Sequence, residues 1–271
     1  MTPQSLLSHH DTGQPWPSSS DPAPRTDTAA AYRDALAVRA LRAARGEQPR
    51  GYKIGFTNRG IWPVYQVFAP IWGTVWDSTL SFCEDEGVVS LARTCEPRLE
   101  PEVVFGLGSA PPAQCTLEQL FESIAWMAPG FEIVQSHRPG WKFTAADTIA
   151  DGGLHARLLV GRKTPLHAHG ADAAAFEARL ASAQVALEQR VEAKPVVRDQ
   201  GRGANVLDGP LHALLHFVQE LRACDGAPGL QAGDVVTTGT WTDAWSVAPG
   251  EVWTARFGAP LSPLSVRFTA D

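Results

Sequence analysis

Glu100 and Glu102 stand two residues apart in the run Arg98-Leu99-Glu100-Pro101-Glu102-Val103-Val104-Phe105-Gly106-Leu107. Leu99, Val103, Phe105 and Leu107 fall on every second position, the period of a strand with one buried face, so both carboxylates share the opposite face. Strand rise sets their Cβ atoms roughly 6–7 Å apart. Acids that close repel each other, and a hard divalent cation removes the repulsion by taking several oxygen ligands at once. A third acid, Glu132, lies in the short apolar run Phe131-Glu132-Ile133-Val134. Pattern alone leaves two readings open: solvated strand carboxylates, or the ligands of one ion. Lys53, inside Gly51-Tyr52-Lys53-Ile54-Gly55-Phe56, either snorkels to solvent or enters a cavity as a cation for an anionic substrate.

The elements that must position these groups are legible in part. The first 26 residues carry Pro15, Pro17, Pro22 and Pro24 among Ser, Thr, Asp and His. They read as a flexible extension, or a strap over a neighbouring subunit, in which His9 and His10 are solvated. Residues 27–271 read as a single domain, with no internal repeat or second boundary. An Ala-rich helix is predicted over Thr28–Arg45, stopped by Gly46. Residues 57–80 hold Trp62, Tyr65, Phe68, Trp72 and Trp76 with no clean period, which suits a lid over a pocket, although each Trp alone suits a core. Thr116 and Gln119 form a capping-box pattern for a helix running through Ala125 to a Pro129-Gly130 stop. Residues 171–191 fit helix by propensity and strand by their later alternation. Asp208-Gly209-Pro210 opens a helix with Leu211, Leu214, Leu215, Val218 and Leu221 on one face. His212 and His216 sit in it four apart, but no Glu follows His212, so the zinc-protease pattern is absent and they read as surface histidines. The C-terminal part is strand.

Composition limits the function classes. At 271 residues a sizeable core is available. Cys83, Cys95, Cys115 and Cys224 are scattered without a CxxC pair, as expected for reduced thiols in a cytoplasmic protein. A net charge of −6 without a Lys/Arg stripe argues against nucleic acid as the main partner. No apolar run reaches the ~20 residues that span a bilayer.

Four blocks in order, Gly51-Tyr52-Lys53-Ile54-Gly55, Arg98 to Phe105, Phe131-Glu132-Ile133-Val134 and Thr238-Gly239-Thr240, resemble the fumarylacetoacetate hydrolase superfamily. The likeness is to its branch of 2-keto-4-pentenoate hydratases and 4-oxalocrotonate decarboxylases. Asp147-Thr148-Ile149-Ala150-Asp151 and Gly203-Ala204-Asn205-Val206-Leu207 are similar to further family segments, and the match runs from about Asp27 to the end. The resemblance implies an α+β fold, a mixed, partly closed β-sheet roll with peripheral helices, assembled as a homo-oligomer. It turns residues 180–198 toward a pair of strands. It puts Mg²⁺ or Mn²⁺ on Glu100, Glu102 and Glu132. The third ligand is usually Asp in the hydrolase branch, and a counterpart of that branch's water-activating His-Glu dyad is not evident. Ala150-Asp151-Gly152-Gly153 departs from the Ala-Asp-Asn common in hydratases, and Phe56-Thr57-Asn58 from a Ser-containing turn.

The implied substrate is a 2-keto or 2-enol acid, whose carboxylate and adjacent C2 oxygen suit an octahedral ion. Lys53 is the cation and proton shuttle, with the Thr238-Gly239-Thr240 turn supplying donors to the substrate carboxylate. Lys142, beside Trp141, is a second candidate for substrate contact, and His137 for a supporting role. The expected reaction is hydration of a 2-hydroxy-2,4-dienoate in catabolism of aromatic-type compounds. Decarboxylation of a 4-oxalocrotonate-like acid is the alternative, since both need the same electron sink. An acylpyruvate C–C hydrolase and an inactive binding protein of the same fold stand behind them.

Overall fold

The structure, a computed structural model, describes residues 1–17, 25–166 and 172–271. Its helices are α1 (Pro3–Thr12), α2 (Thr28–Ala44), α3 (Trp62–Tyr65), α4 (Leu117–Glu122), α5 (Ala145–Ala150), α6 (Ala173–Ser182) and α7 (Pro210–Ala223). The strands begin with β1 (Pro49–Gly55), β2 (Ile71–Trp76), β3 (Leu80–Phe82), β4 (Glu86–Ser90), β5 (Arg98–Leu107), β6 (Ile124–Val134) and β7 (His155–Val160). They continue with β8 (Thr164–Pro165), β9 (Gln184–Val191), β10 (Lys194–Arg202), β11 (Val235–Thr240), β12 (Trp245–Ser246), β13 (Val252–Phe257) and β14 (Leu264–Thr269).

Among the described residues, two mixed sheets carry the fold. The larger runs β2-β1-β11-β5-β6-β7-β3, with β12 on β5 and β8 on β6; the smaller runs β10-β9-β13-β14-β4. The larger sheet curls into a half-barrel, as the α+β roll expected from the sequence requires. Helix α7 seals it with Leu211, Leu214, Phe217, Val218 and Leu221, all buried. Leu215 of the expected apolar stripe is only partly buried, packed at the edge of the core.

Strand β5 is central, hydrogen-bonded to β11 and β6. Both of its faces are also covered, with Leu99, Val103 and Phe105 buried on one and Glu102 and Val104 on the other. Of the two readings the pattern left open, solvated strand carboxylates do not describe Glu102 and Glu132, because curling of the sheet turns that side inward.

Long-range pairing also overrides local signals elsewhere. The capping box on Thr116 forms, but α4 ends at Glu122, and residues 124–134 pair with β5 and β7 despite Pro129 and Gly130. The ambiguous stretch divides, with helix to Ser182 and then a β9–β10 hairpin turning at Glu192 and Ala193, both at positive φ. The aromatic segment divides too. Trp72 and Trp76 are core residues of β2, while Ile61 and Tyr65 face a pocket.

The N-terminal stretch departs furthest from expectation. Residues 3–12 are helix α1, capped by the Thr2 hydroxyl and by Gly13 at positive φ, with Pro3 at the start where its missing N–H costs nothing. Leu6 and Trp16 join Ala31, Val38, Ile71, Ala146 and Ile149 in a second apolar cluster. Of the prolines that suggested a flexible extension, Pro15 and Pro17 lie beyond the helix end, and Pro22 and Pro24 fall outside the described residues. We expect Leu6→Ala, which empties a fully buried position, to lower unfolding free energy by about 3 kcal/mol in urea denaturation. An unchanged midpoint and slope would show α1 to be a dispensable appendage.

Candidate active site

Register alone brings the acids together. In the β5–β6 ladder Glu100 lies directly opposite Glu132, so their side chains share a face, and Glu102 follows two residues along on the same side. One carboxylate oxygen from each of the three lies within 4.8 Å of the others. Lys53 arrives from β1 across β11, and its Nζ stands 3.0 Å from Oε2 of Glu132. Lys53, Glu102 and Glu132 are buried, and Glu100 opens onto a cavity of about 370 Å³.

Each group is held by named partners. Glu102 Oε2 accepts from the Gly239 N–H at 2.7 Å and from the Thr237 hydroxyl, while its Oε1 is buried without a hydrogen-bond partner among the described residues. Gly239 is at φ +103, and a Cβ there would lie 2.0 Å from Oγ1 of Thr57, so the turn that grips Glu102 requires glycine. Glu132 Oε1 accepts from Nδ1–H of His155 at 2.9 Å, and the far nitrogen of that ring faces the Thr79 hydroxyl at 2.8 Å. Burial holds His155 below the ordinary histidine range, which leaves it neutral with the proton on Nδ1.

Electrostatics follow from crowding. Burial raises Glu100 to about 7, with Lys53 pulling down, Glu132 pushing up and Arg98 pulling down. Glu102 is raised well above the usual range by burial and then by Glu132 and Glu100. Burial works against ionised Glu132 as well, but Lys53 and the His155 hydrogen bond outweigh it and hold this carboxylate low. Burial likewise opposes the Lys53 ammonium, and the three acids more than offset that, so the amine stays charged. An unpartnered carboxylate oxygen amid mutually repelling acids is a donor set that a divalent cation fits.

The cavity wall beyond the acids is aromatic. Phe56, Tyr65, Phe143 and Trp141 form a run of neighbouring rings with centroids 4.8, 5.6 and 5.8 Å apart, and the Arg98 guanidinium closes it 4.0 Å from Trp141. Gly153, at φ +71, packs against Lys53: a Cβ there would come within 2.9 Å of the lysine Cδ. The Gly-Gly departure in the sequence therefore makes room for the lysine stem.

Other expected site residues lie elsewhere. Lys142 is exposed and does not line the cavity. The Thr238 hydroxyl donates to the Val103 carbonyl and the Thr240 hydroxyl to the Thr242 carbonyl, so the turn's donors are committed within the protein, although Gly239 and Thr240 line the cavity. The reason is register: β11 runs beside β5, and its polar groups are used to seat Glu102.

No protein-family model matches the chain. It is 30% identical over 245 residues, 88% of its length and 85% of the relative, to 2-hydroxyhexa-2,4-dienoate hydratase of Comamonas testosteroni. The chain belongs to the hydratase and decarboxylase branch of the fumarylacetoacetate hydrolase superfamily. A second relative, 4-oxalocrotonate decarboxylase of a Pseudomonas species, is 27% identical over 83% of this chain and 82% of its own. The solved 4-oxalocrotonate decarboxylase of Pseudomonas putida G7, complexed with magnesium and adipate, superposes with a TM-score of 0.81 at 24% identity, covering 99% of this chain and 98% of that one.

Sequence reasoning missed His155, Thr237 and Arg98. His155 had a signal in the alternation His155-Ala156-Arg157-Leu158, which extends β7 upstream of the apolar run. Arg98 had one too, two residues before Glu100 on the same face. The raised Glu100 gives a pH signature. Its proton is held more tightly in the folded chain, at about 7, than at the ordinary 4.5, so the associated stability is full below 4.5 and is lost as pH rises through 7. In EDTA the melting temperature is expected to fall between about pH 5 and 8, with a shallower fall in Glu100→Gln. Parallel profiles for the two proteins would contradict this assignment.

Proposed function

We propose that this protein is a divalent-metal-dependent hydratase that adds water to a 2-hydroxy-2,4-dienoate, giving a 4-hydroxy-2-keto acid. The observation that carries the reading is the convergence of Glu100, Glu102 and Glu132 within 4.8 Å beside a charged lysine at the floor of an aromatic-walled cavity. Glu100, Glu102 and Glu132 would hold Mg²⁺ or Mn²⁺. When bound, the ion supplies Lewis-acid stabilisation to the oxygen at C2 of a 2-keto acid, where negative charge builds up.

The protein's own groups do the rest. Lys53 and Arg98 give the cavity two positive charges for an anionic substrate, and Arg98 stays on the Trp141 face with N–H edges free to donate. Because Lys53 remains protonated, it enters as a proton donor. It delivers the proton that the terminal carbon of the dienol takes up on ketonisation and is recharged by the proton the enol hydroxyl releases; water then adds its hydroxyl at the carbon β to the ketone and its proton at the α carbon. His155 keeps Glu132 ionised and oriented toward Lys53 throughout. The rings of Phe56, Tyr65 and Phe143 cover the substrate's apolar end and keep bulk water from it.

The decarboxylase of the same branch is the second reading, favoured by the 27% identical Pseudomonas relative. Both reactions send electrons into the same C2 oxygen, so product analysis separates them. With Mg²⁺ present, a dienol acid should lose its diene absorbance without CO₂ release; an oxalocrotonate releasing CO₂ at a comparable rate would move the assignment to decarboxylase. An acylpyruvate cleaved to two acids would assign a hydrolase. Glu100→Gln and Glu132→Gln should each lower Mg²⁺-dependent kcat by at least about 100-fold while far-UV circular dichroism is unchanged. Wild-type turnover in either variant would remove the metal role. We also propose a homo-oligomer, because β10 is a sheet edge carrying exposed Val196 and Val197; light scattering should give the mass of a dimer or larger assembly, and a monomer mass would contradict it.

A further inference from the structure

Behind the active site, on the far side of the Gly152-Gly153 turn, a second group of ligand-type side chains meets. His10 comes from α1, His137 from the segment after β6, and Asp151 from the end of α5, each offering one ligand atom within 4.8 Å of the others. We propose that His10, His137 and Asp151 bind a transition-metal ion of the zinc type, which fastens α1 to the turn that supports Lys53. The proposal goes beyond the reaction proposed above and does not depend on it.

The donor set is the first reason. Two imidazoles and one carboxylate make a borderline-soft site suited to Zn²⁺, Co²⁺ or Ni²⁺, whereas the all-oxygen set of Glu100, Glu102 and Glu132 suits Mg²⁺. Orientation is the second. His137 donates its Nε2–H to the His9 carbonyl at 3.1 Å, which turns Nδ1 toward Asp151, and a hydrogen bond from the non-ligating nitrogen is the usual way a metal-binding histidine is aimed.

The third reason is His10 itself. Without an ion, His137 and Asp151 account for each other: Nδ1 is 2.6 Å from Oδ1, and the His137 backbone N–H donates to Oδ2 at 3.0 Å. His10 is then superfluous, yet it is almost wholly withdrawn from solvent and directed at the same Oδ1. Its Nε2 stands 3.4 Å away, and among the described residues its ring makes no hydrogen bond. For Zn–N and Zn–O bonds of about 2.0–2.1 Å, the edge of a tetrahedron is about 3.4 Å. An ion that binds here displaces the proton shared by His137 Nδ1 and Asp151 Oδ1, and the neighbouring Arg42 is already paired with Glu47. Between His137 Nδ1 and Asp151 Oδ1, now 2.6 Å apart, that edge asks for a separation of less than about 1 Å.

The consequence reaches the lysine. His10 lies against Gly152, where a Cβ would be 3.5 Å from its Cε1, and Gly153 lies against the Lys53 stem. An ion at this cluster would tie the chain's first helix to that packing.

Cobalt titration of the untagged, EDTA-treated chain tests the proposal, because four-coordinate Co²⁺ with nitrogen ligands absorbs visible light far more strongly than Co²⁺ in an octahedral oxygen site. In Glu132→Gln, and in wild type saturated with Mg²⁺, one equivalent of Co²⁺ should give the intense band, and Zn²⁺ should bleach it. His9→Ala should keep the band, which excludes a surface chelate of adjacent histidines. His10→Ala should lose it, with Co²⁺ affinity falling at least about tenfold, while Mg²⁺-dependent turnover stays within about twofold of wild type. No intense band in Glu132→Gln and Mg²⁺-saturated wild type, or a band that survives in His10→Ala, would reduce the cluster to a buried ion pair and overturn the proposal.

Discussion

Mutual repulsion among three clustered carboxylates is the constraint on which this molecule turns. The curl of one sheet buries Glu102 and Glu132 and sets Glu100 on the cavity wall, and a single ammonium, Lys53, stands among them, with Arg98 acting on Glu100 alone. Lys53 cannot satisfy three acids in a low-dielectric setting, and the protein responds by distributing the burden unevenly. Glu132 takes the lysine and the His155 hydrogen bond and stays ionised; Glu100 and Glu102 are pushed toward protonation. The arrangement costs stability as folded, which is the behaviour of a site shaped for an added cation rather than of a structural ion pair.

The rest of the fold can be understood as support for that cluster. Central placement of β5 fixes Glu100 against Glu132 by ladder register, and β11 supplies the Gly239 N–H and the Thr237 hydroxyl that orient Glu102. The close approach of Gly153 to the lysine stem, and of α1 to the Asp151–Gly152 turn, extends the support outward to the N-terminus. Aromatic rings then wall the cavity above. The acids thus stand on strands and the rings outside them, so under the proposed function the fold could keep one reaction centre while the wall changes.

What was legible in the sequence was local. Two-residue spacing revealed Glu100 and Glu102, the ordered blocks gave the family, and strong patterns such as the apolar stripe of α7 identified their elements directly. What was not legible depended on distant pairing. Nothing in residues 124–130 shows that Pro129 will face Val103 in a ladder, and Pro-rich residues 1–17 give no hint that Leu6 and Trp16 find an apolar surface made by α2 and α5. Histidines were misjudged for the same reason. His10 looks solvated in sequence because the carboxylate it faces, Asp151, which also pairs with His137, reaches it only through the fold. In the Thr238-Gly239-Thr240 turn, only Gly239 and Thr240 line the cavity, and the Thr238 hydroxyl, the Gly239 N–H and the Thr240 hydroxyl all donate within the protein, pairings that no local pattern shows.

The central claim is that the three glutamates share one divalent ion, and anomalous diffraction from a crystal grown with Mn²⁺ and pyruvate tests it most directly. The account predicts a single strong anomalous peak bounded by carboxylate oxygens of Glu100, Glu102 and Glu132, with pyruvate on its open side facing the aromatic wall. A crystal in which those oxygens surround only Lys53 and solvent, while manganese sits elsewhere or nowhere, would contradict it.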